Sequence, residues 1–437
     1  MAHDPKEPTG GGFAPVPAHA WYGLALLTLI YACHWLDRTV ISLIIEPVRQ
    51  EFGLTDAQIG LLTGLAYGTS FALAGLPFGY LIDRVNRRRL LAVVAAFWST
   101  MTAVAGLAQN FTTLLATRAL LGAAEAGGTP AAMAMISDMF PPRLRSTAVG
   151  ILYVGTGIGA AASALIAALI AAPYGWRVVL VAAGVPGIIL GLLVWFTMGD
   201  VPRVSADPGG KVMAAPPVGT ALRFLAGQRG VMHLFVVLPM VSGGMAAVGV
   251  WLPAFLMRSH GMSLPNAGFV LAIAFGLFAS LGTLVGGAVS DRLGRYRSEL
   301  RLWFCAAMIL LAIPATFGVL FLDSIPAAVA LTFVVAFCGF TVFPVGFSAA
   351  MDMMPSQMRG ITTATSQVVT NLVGYGLGPY AVGLFSDYVG GPDSLRQAIA
   401  AVVAFTLAIA SWQMVLAARH YGAGLERMRR FANQPGA

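Results

Sequence analysis

The chain has 437 residues, of which 58% are hydrophobic and 10% charged, and its mean hydropathy is +0.79. That balance excludes a soluble globular domain. A net charge of +8 would suit a nucleic-acid binder, but the basic residues stand at the ends of apolar runs, where the positive-inside bias of membrane proteins accounts for them.

In chain order, residues 1–20 are polar and rich in Pro and Gly, lack the features of a signal peptide, and read as a cytoplasmic tail. Apolar runs long enough to cross a bilayer then predict six spans, at 21–46, 57–82, 90–109, 111–139, 145–172 and 176–197. Period-2 alternation is absent, so the spans are helices and not barrel strands. Residues 199–230 form the one long polar gap, a cytoplasmic linker with an interfacial helix expected near Thr220–Gln228. Six more spans follow near 231–257, 265–290, 299–320, 325–353, 359–387 and 395–419, and residues 421–437 form a second cytoplasmic tail.

The expected fold is therefore an all-α membrane protein with twelve transmembrane helices in two six-helix bundles, residues 21–198 and 231–420. Arg84, Arg87, Arg88, Arg89, Arg143, Arg145, Arg292, Arg295, Arg297, Arg301 and Arg359 all fall on one side. That side is read as cytoplasmic, with both termini on it. The chain is expected in a cell membrane, such as a bacterial inner membrane, as a multi-pass monomer. Cys33, Cys305 and Cys338 lie inside apolar spans, which speaks against a disulfide framework. No metal site and no cofactor are expected, and no phosphate-binding loop is present. The glycine runs at 155–159 and 374–378 sit inside apolar helices and read as close helix contacts.

The two bundles are related by repetition. Gly79-Tyr-Leu-Ile-Asp83-Arg84-Val-Asn86-Arg87-Arg88 closes the second span, and Gly287-Ala-Val-Ser-Asp291-Arg292-Leu-Gly294-Arg295 closes the eighth, with the two acids 208 residues apart. Asp138-Met-Phe-Pro141 recurs as Asp352-Met-Met-Pro355 at an offset of 214. Two motif pairs in one order at nearly one offset indicate an internal duplication. The Gly-x-x-x-Asp-Arg pattern resembles the signature of the major facilitator superfamily. Asp37-Arg38, Asn86, the run from Arg118 to Glu125, Pro130 and Asp138-Met-Phe-Pro141-Pro are similar to the Spinster lipid transporters within it. That resemblance implies two bundles around a midplane cavity that opens alternately to either side.

Asp83 at the end of the second span can cap the N-terminus of the eleventh span near Arg359, and Asp291 can do the same for the fifth near Arg145. Arg84 and Arg88 can reach Asp138. Gly79, Asp83, Arg84, Arg87, Arg88, Asp138 and Arg145, with Gly287, Asp291, Arg292, Arg295, Asp352 and Arg359, are thus candidate gate residues. Positive-inside bias explains the arginines but does not require the recurring acids.

Charges inside spans are costly and mark pathways. In the first span Asp37 and Arg38 lie past mid-membrane, with Tyr31, His34, Arg38 and Ser42 as a polar stripe. In the fourth, Arg118 and Glu125 are seven residues apart and share a face. Asp37 and Glu125, with His34, are the candidate proton-coupling residues, and the acids are expected to pair with Arg38 and Arg118 until one of these arginines receives an anionic group. A permanent pair that only fixes packing is the bland alternative.

The second half offers Trp251 and, on the eleventh span, Thr363, Gln367, Asn371 and Tyr375. With Arg38, Arg118 and Tyr31, the residues Trp251, Gln367, Asn371 and Tyr375 are the candidate substrate contacts. A charged half facing an apolar one suits an amphiphile, although Phe, Met, Asn and Gln are also ordinary packing residues in membranes. Together with what the Spinster resemblance implies, the expected function is proton-coupled transport of a lysolipid or sphingolipid-like molecule by alternating access. The alternatives are a proton-coupled symporter of a small organic anion such as a sugar acid, and multidrug efflux, whose fifth-span Gly-Pro is missing here. No nucleophile–base or metal constellation supports an enzyme. The expected partners are this substrate, protons and membrane lipids.

Overall fold

The computed structural model describes residues 16–82, 84–200 and 218–432. Asp83, residues 1–15 of the first tail, 201–217 of the linker and 433–437 of the last lie outside the described residues. Every regular element among the described residues is helical. Ten runs are long and apolar enough to cross a membrane: Ala18–Leu43, Arg87–Ala105, Thr147–Ala171, Pro173–Thr197, Arg229–His260, Leu264–Gly294, Leu300–Phe321, Ile325–Asp352, Arg359–Val389 and Ser394–Phe431. The second and fourth spans are each assembled from shorter pieces. The second is Asp56–Gly60, a π-helical Leu61–Leu65 and Ala66–Ile82; the fourth is Phe111–Glu125 and Gly128–Met139. With these two, the order is consistent with twelve passes.

Helix ends follow local chemistry and move several expected boundaries. The first span stops at Leu43, three residues early, and a separate helix Ile45–Phe52 follows, closed by Gly53 in the left-handed region (φ 61°). Thr55 and Gln58 form a capping box that starts the second span at Asp56. Asn86 caps the third by accepting from the Arg89 N–H (3.1 Å), which accounts for asparagine where the repeat has Gly294. The fifth and sixth spans form one helical stretch, Pro142–Thr197, broken at Gly175, whose φ of 78° only glycine adopts cheaply. The linker helix runs Val218–Gly227.

The last helix runs to Ala432 instead of giving way to a tail at 421. Its extension is docked: Tyr421 is buried and donates to Asp352 (3.0 Å), Arg427 donates to the Gly227 carbonyl, and Phe431 packs on Phe224. Polar sequence alone reads as a tail because these partners lie far away in the chain.

The duplication reappears as a pair of equivalent contacts. Arg87 pairs with Asp138 and Arg301 with Asp352, each across 51 residues. The two pairs sit 214 residues apart, the same offset as the motifs. Each ties the start of a third helix to the end of a fourth within its own half. The span ends bearing Arg84–Arg89 are called the basic face here, and the other ends the opposite face.

The halves meet towards the opposite face. A methyl group on Gly60, Gly64 or Gly68 of the second span would sit 2.7 Å from Pro379 O, 2.5 Å from Gly376 O and 2.6 Å from Asn371 O of the eleventh. This is the small-residue contact that lets membrane helices approach backbone to backbone. Gly157 of the fifth span lies similarly against Gly276 of the eighth. Nearer the basic face, Gly75 and Gly79 of the second span and Gly360 of the eleventh have open space where a side chain would start.

Candidate functional site

In the middle of the first bundle, the first, second, third and fourth spans bring together Asp37, Arg38, Tyr67, Ser99, Arg118 and Glu125. Asp37 and Glu125 are 0% exposed and Arg118 is 2% exposed. Neither acid reaches either arginine within 4 Å, so the expected ion pairs are not formed. Ser99 Oγ donates instead to Asp37 Oδ2 (3.0 Å), and Arg118 Nη1 donates to the Asp37 main-chain carbonyl (3.1 Å). Tyr67 donates to Glu125 Oε2 (2.6 Å), which also faces His34 Nδ1 at 3.4 Å.

One oxygen of each carboxylate, Asp37 Oδ1 and Glu125 Oε1, and the Nε of Arg118 have no hydrogen-bond partner. A buried charged group with an unfilled hydrogen-bonding position is costly. Such a cluster can take a proton or bind a ligand at small further cost.

Arg38 is held by rings. Its guanidinium stacks on Tyr375 at 3.8 Å and on Tyr67 at 4.8 Å, with Trp35 at 5.5 Å. Tyr375 belongs to the other half, so this cation–π contact, worth about 0.5–2 kcal/mol, joins the halves beside the cluster. A π-helical stretch, Thr370–Leu377, carries Tyr375; such stretches recur at functional sites. His34 is stacked against Tyr31 and edge-on to Trp98.

The remaining candidates are dispersed. Asn371 is buried and donates to the Gln367 carbonyl (2.9 Å), while Gln367 is exposed. Trp251 is fully buried, and its only polar atom is used on the Pro379 carbonyl (2.9 Å). Among the described residues no group of His, Cys, Asp and Glu is placed to hold a metal ion. Sequence reading missed Tyr67 and Ser99. Thr63, Tyr67 and Ser70, spaced four and three apart in the second span, are the signal that could have found Tyr67; Ser99 and Thr102, three apart in the third, are the weaker one for Ser99.

The gate candidates lie within their own halves. Arg87, not Arg84 or Arg88, pairs with Asp138. Arg88 binds Asp200 (2.9 Å) and the Met198 carbonyl (2.6 Å), and Arg84 stacks on Tyr80. Arg145 donates to the Phe140 carbonyl and Arg359 to Met351 and Met354. Asp291, Arg292 and Arg295 are not buried. The contacts given above for these side chains stay within one half, and Asp83 lies outside the described residues.

On the opposite face Arg258, at the end of the seventh span, donates to both oxygens of Asp56 (3.0 Å each) and to Glu46 (2.7 Å) across the halves. Glu46 lies in the short helix after the first span. Burial pushes its carboxyl up, but hydrogen bonds from Arg49 and Arg258 outweigh this and hold it below its ordinary value. A depressed acid stabilises the closed face above its ordinary pKa, near 4.3, and loses that contribution as pH falls through the depressed value. Closure of this face should thus be flat between about pH 5 and 8 and loosen only below about pH 4. Distances between spin labels on the two halves would check it.

Residues 27–379 match the Major Facilitator Superfamily. A solved bacterial homologue of the human lysosomal transporter Spinster, inward-facing and unoccupied, superposes with a TM-score of 0.85 at 27% identity, covering 94% of this chain and 99% of that one. The mouse sphingosine-1-phosphate transporter SPNS2 is 26% identical over 84% of this chain and 69% of its own length. An MFS-type efflux pump of Mycolicibacterium smegmatis is 27% identical over 89% and 90%, and a probable L-galactonate transporter of Escherichia coli 29% identical over 61% of each. A duplicated helical membrane fold, its paired motifs and this match together establish that the chain belongs to the major facilitator superfamily and is a membrane transporter with Spinster proteins among its relatives.

Proposed function

We propose that the protein is a proton-coupled carrier of a lysolipid or sphingolipid-like amphiphile, working by alternating access with its basic face in the cytoplasm. One observation carries this reading: Asp37, Glu125 and Arg118 are buried with unfilled hydrogen-bonding positions, beside a half whose mid-span segments contain no Asp, Glu, Lys or Arg. The charged side suits a head group and a proton, and the apolar side a hydrocarbon tail. Arg38, stacked on Tyr375, is placed to exchange its aromatic partners for an anionic head and so to report binding from one half to the other. Likeness to Spinster proteins supports the lipid class.

The second reading is symport of a small organic anion, which the buried Arg118, the ring-held Arg38 and the galactonate relative favour. Reconstituted protein should take up a lysophospholipid, faster by about tenfold, a barrier change of about 1.4 kcal/mol, when a pH gradient is imposed. Uptake confined to a sugar acid would select the second reading.

A further inference from the structure

The eleventh span ends in Gly383-Leu-Phe-Ser386-Asp387. This is the Gly-x-x-x-Asp spacing of Gly79–Asp83 and Gly287–Asp291, placed at the opposite face. Asp387 crosses to the other half: Oδ1 accepts the main-chain N–H of Asp56 (3.0 Å) and Oδ2 that of Ala57 (2.8 Å). These are the first two residues of the helical run that forms the second span.

A helix start leaves its first N–H groups without partners inside the helix. Thr55 satisfies the third, that of Gln58 (3.2 Å), from within the same half. The two donors that the capping box leaves over are those taken by Asp387. Its negative charge also lies where the helix dipole favours one. Gly383 makes the approach possible, because a methyl group there would stand 2.1 Å from the Asp56 carbonyl. Ser386 adds a bond from its hydroxyl to Asp56 Oδ2 (2.7 Å).

We propose that Asp387 is a gate residue, whose carboxylate clasps the N-terminus of the second span and holds the opposite face shut until the carrier opens outward. The clasp is reciprocal to the one expected of Asp83. There the second helix would cap the eleventh at the basic face; here the eleventh caps the second. This inference rests on the alternating-access reading.

The test uses full-length protein in lipid, with the native cysteines replaced by alanine and spin labels at exposed sites. Leu107 and Asp323 report the opposite face, and Phe196 and Tyr296 the basic face. Asp387→Asn should raise the outward-to-inward ratio roughly tenfold, the scale of losing a helix cap. The first distance should lengthen and the second shorten. Gly383→Ala should act in the same direction by pushing the helices apart, and Asp393→Asn, a nearby exposed acid, should leave both distributions unchanged. If Asp387→Asn and Gly383→Ala move neither pair while Gly64→Ala does, the clasp is overturned and alternating access stands. If no variant moves either pair, alternating access falls with it.

Discussion

Glu125→Gln is expected to leave the protein folded and to remove pH-gradient-driven uptake, by about a hundredfold or more. The side chain has no exposure and sits between the Tyr67 hydroxyl (2.6 Å) and His34 (3.4 Å), with its second oxygen unpartnered. Glutamine keeps the shape and one acceptor for Tyr67, so the packing cost is small. It cannot bind and release a proton, and its amide puts two donors where one acceptor was free. If Glu125 carries the coupled proton, substrate exchange without a gradient should survive while gradient-driven accumulation is lost, because exchange needs binding and helix movement but no net proton transfer. Full retention of pH dependence would remove Glu125 from the coupling step and leave Asp37 as the candidate.

Gly64→Ala is expected to have the largest effect on conformation. The added methyl would stand 2.5 Å from the Gly376 carbonyl and 3.2 Å from Pro379 Cβ. The first of these neighbours is main chain and cannot rotate away. Overpacking of this kind costs about 1–3 kcal/mol. Since the contact exists only where the halves meet, that cost falls on the state closed at the opposite face. A shift of roughly 5- to 150-fold towards the outward-open state should follow, read as a longer opposite-face distance and slower delivery to the basic side. Gly75→Ala, with open space around it, should be silent. An unchanged distribution in Gly64→Ala would mean that the second and eleventh helices separate less than their backbone contact implies.

The fold was legible because hydropathy, loop charge and duplicated motifs each depend on residues close together in sequence. The same reasoning found Asp37, Arg38, Arg118 and Glu125, since a charge in an apolar run stands out wherever it points. It did not find their partners. Tyr67 and Ser99 are ordinary residues of other helices until folding aims them at a carboxylate. Nor did it find the π-helical stretch that carries Tyr375 beside Arg38, because a segment apolar nearly all round has little periodicity for an extra residue per turn to shift. Asn86 was noticed as a departure from glycine, but its work as a helix cap is a matter of backbone geometry.

The docked end of the last helix bears on how the halves are joined. Asp200 is bound to Asn86 and Arg88 in the first half, and the helix beginning at Val218 is held to the second through Phe431 and Arg427. The covalent tether between them is therefore residues 201–217, a length that can reach about 60 Å when extended. Such a tether keeps each half at a high local concentration around the other, whatever contacts form or break between them.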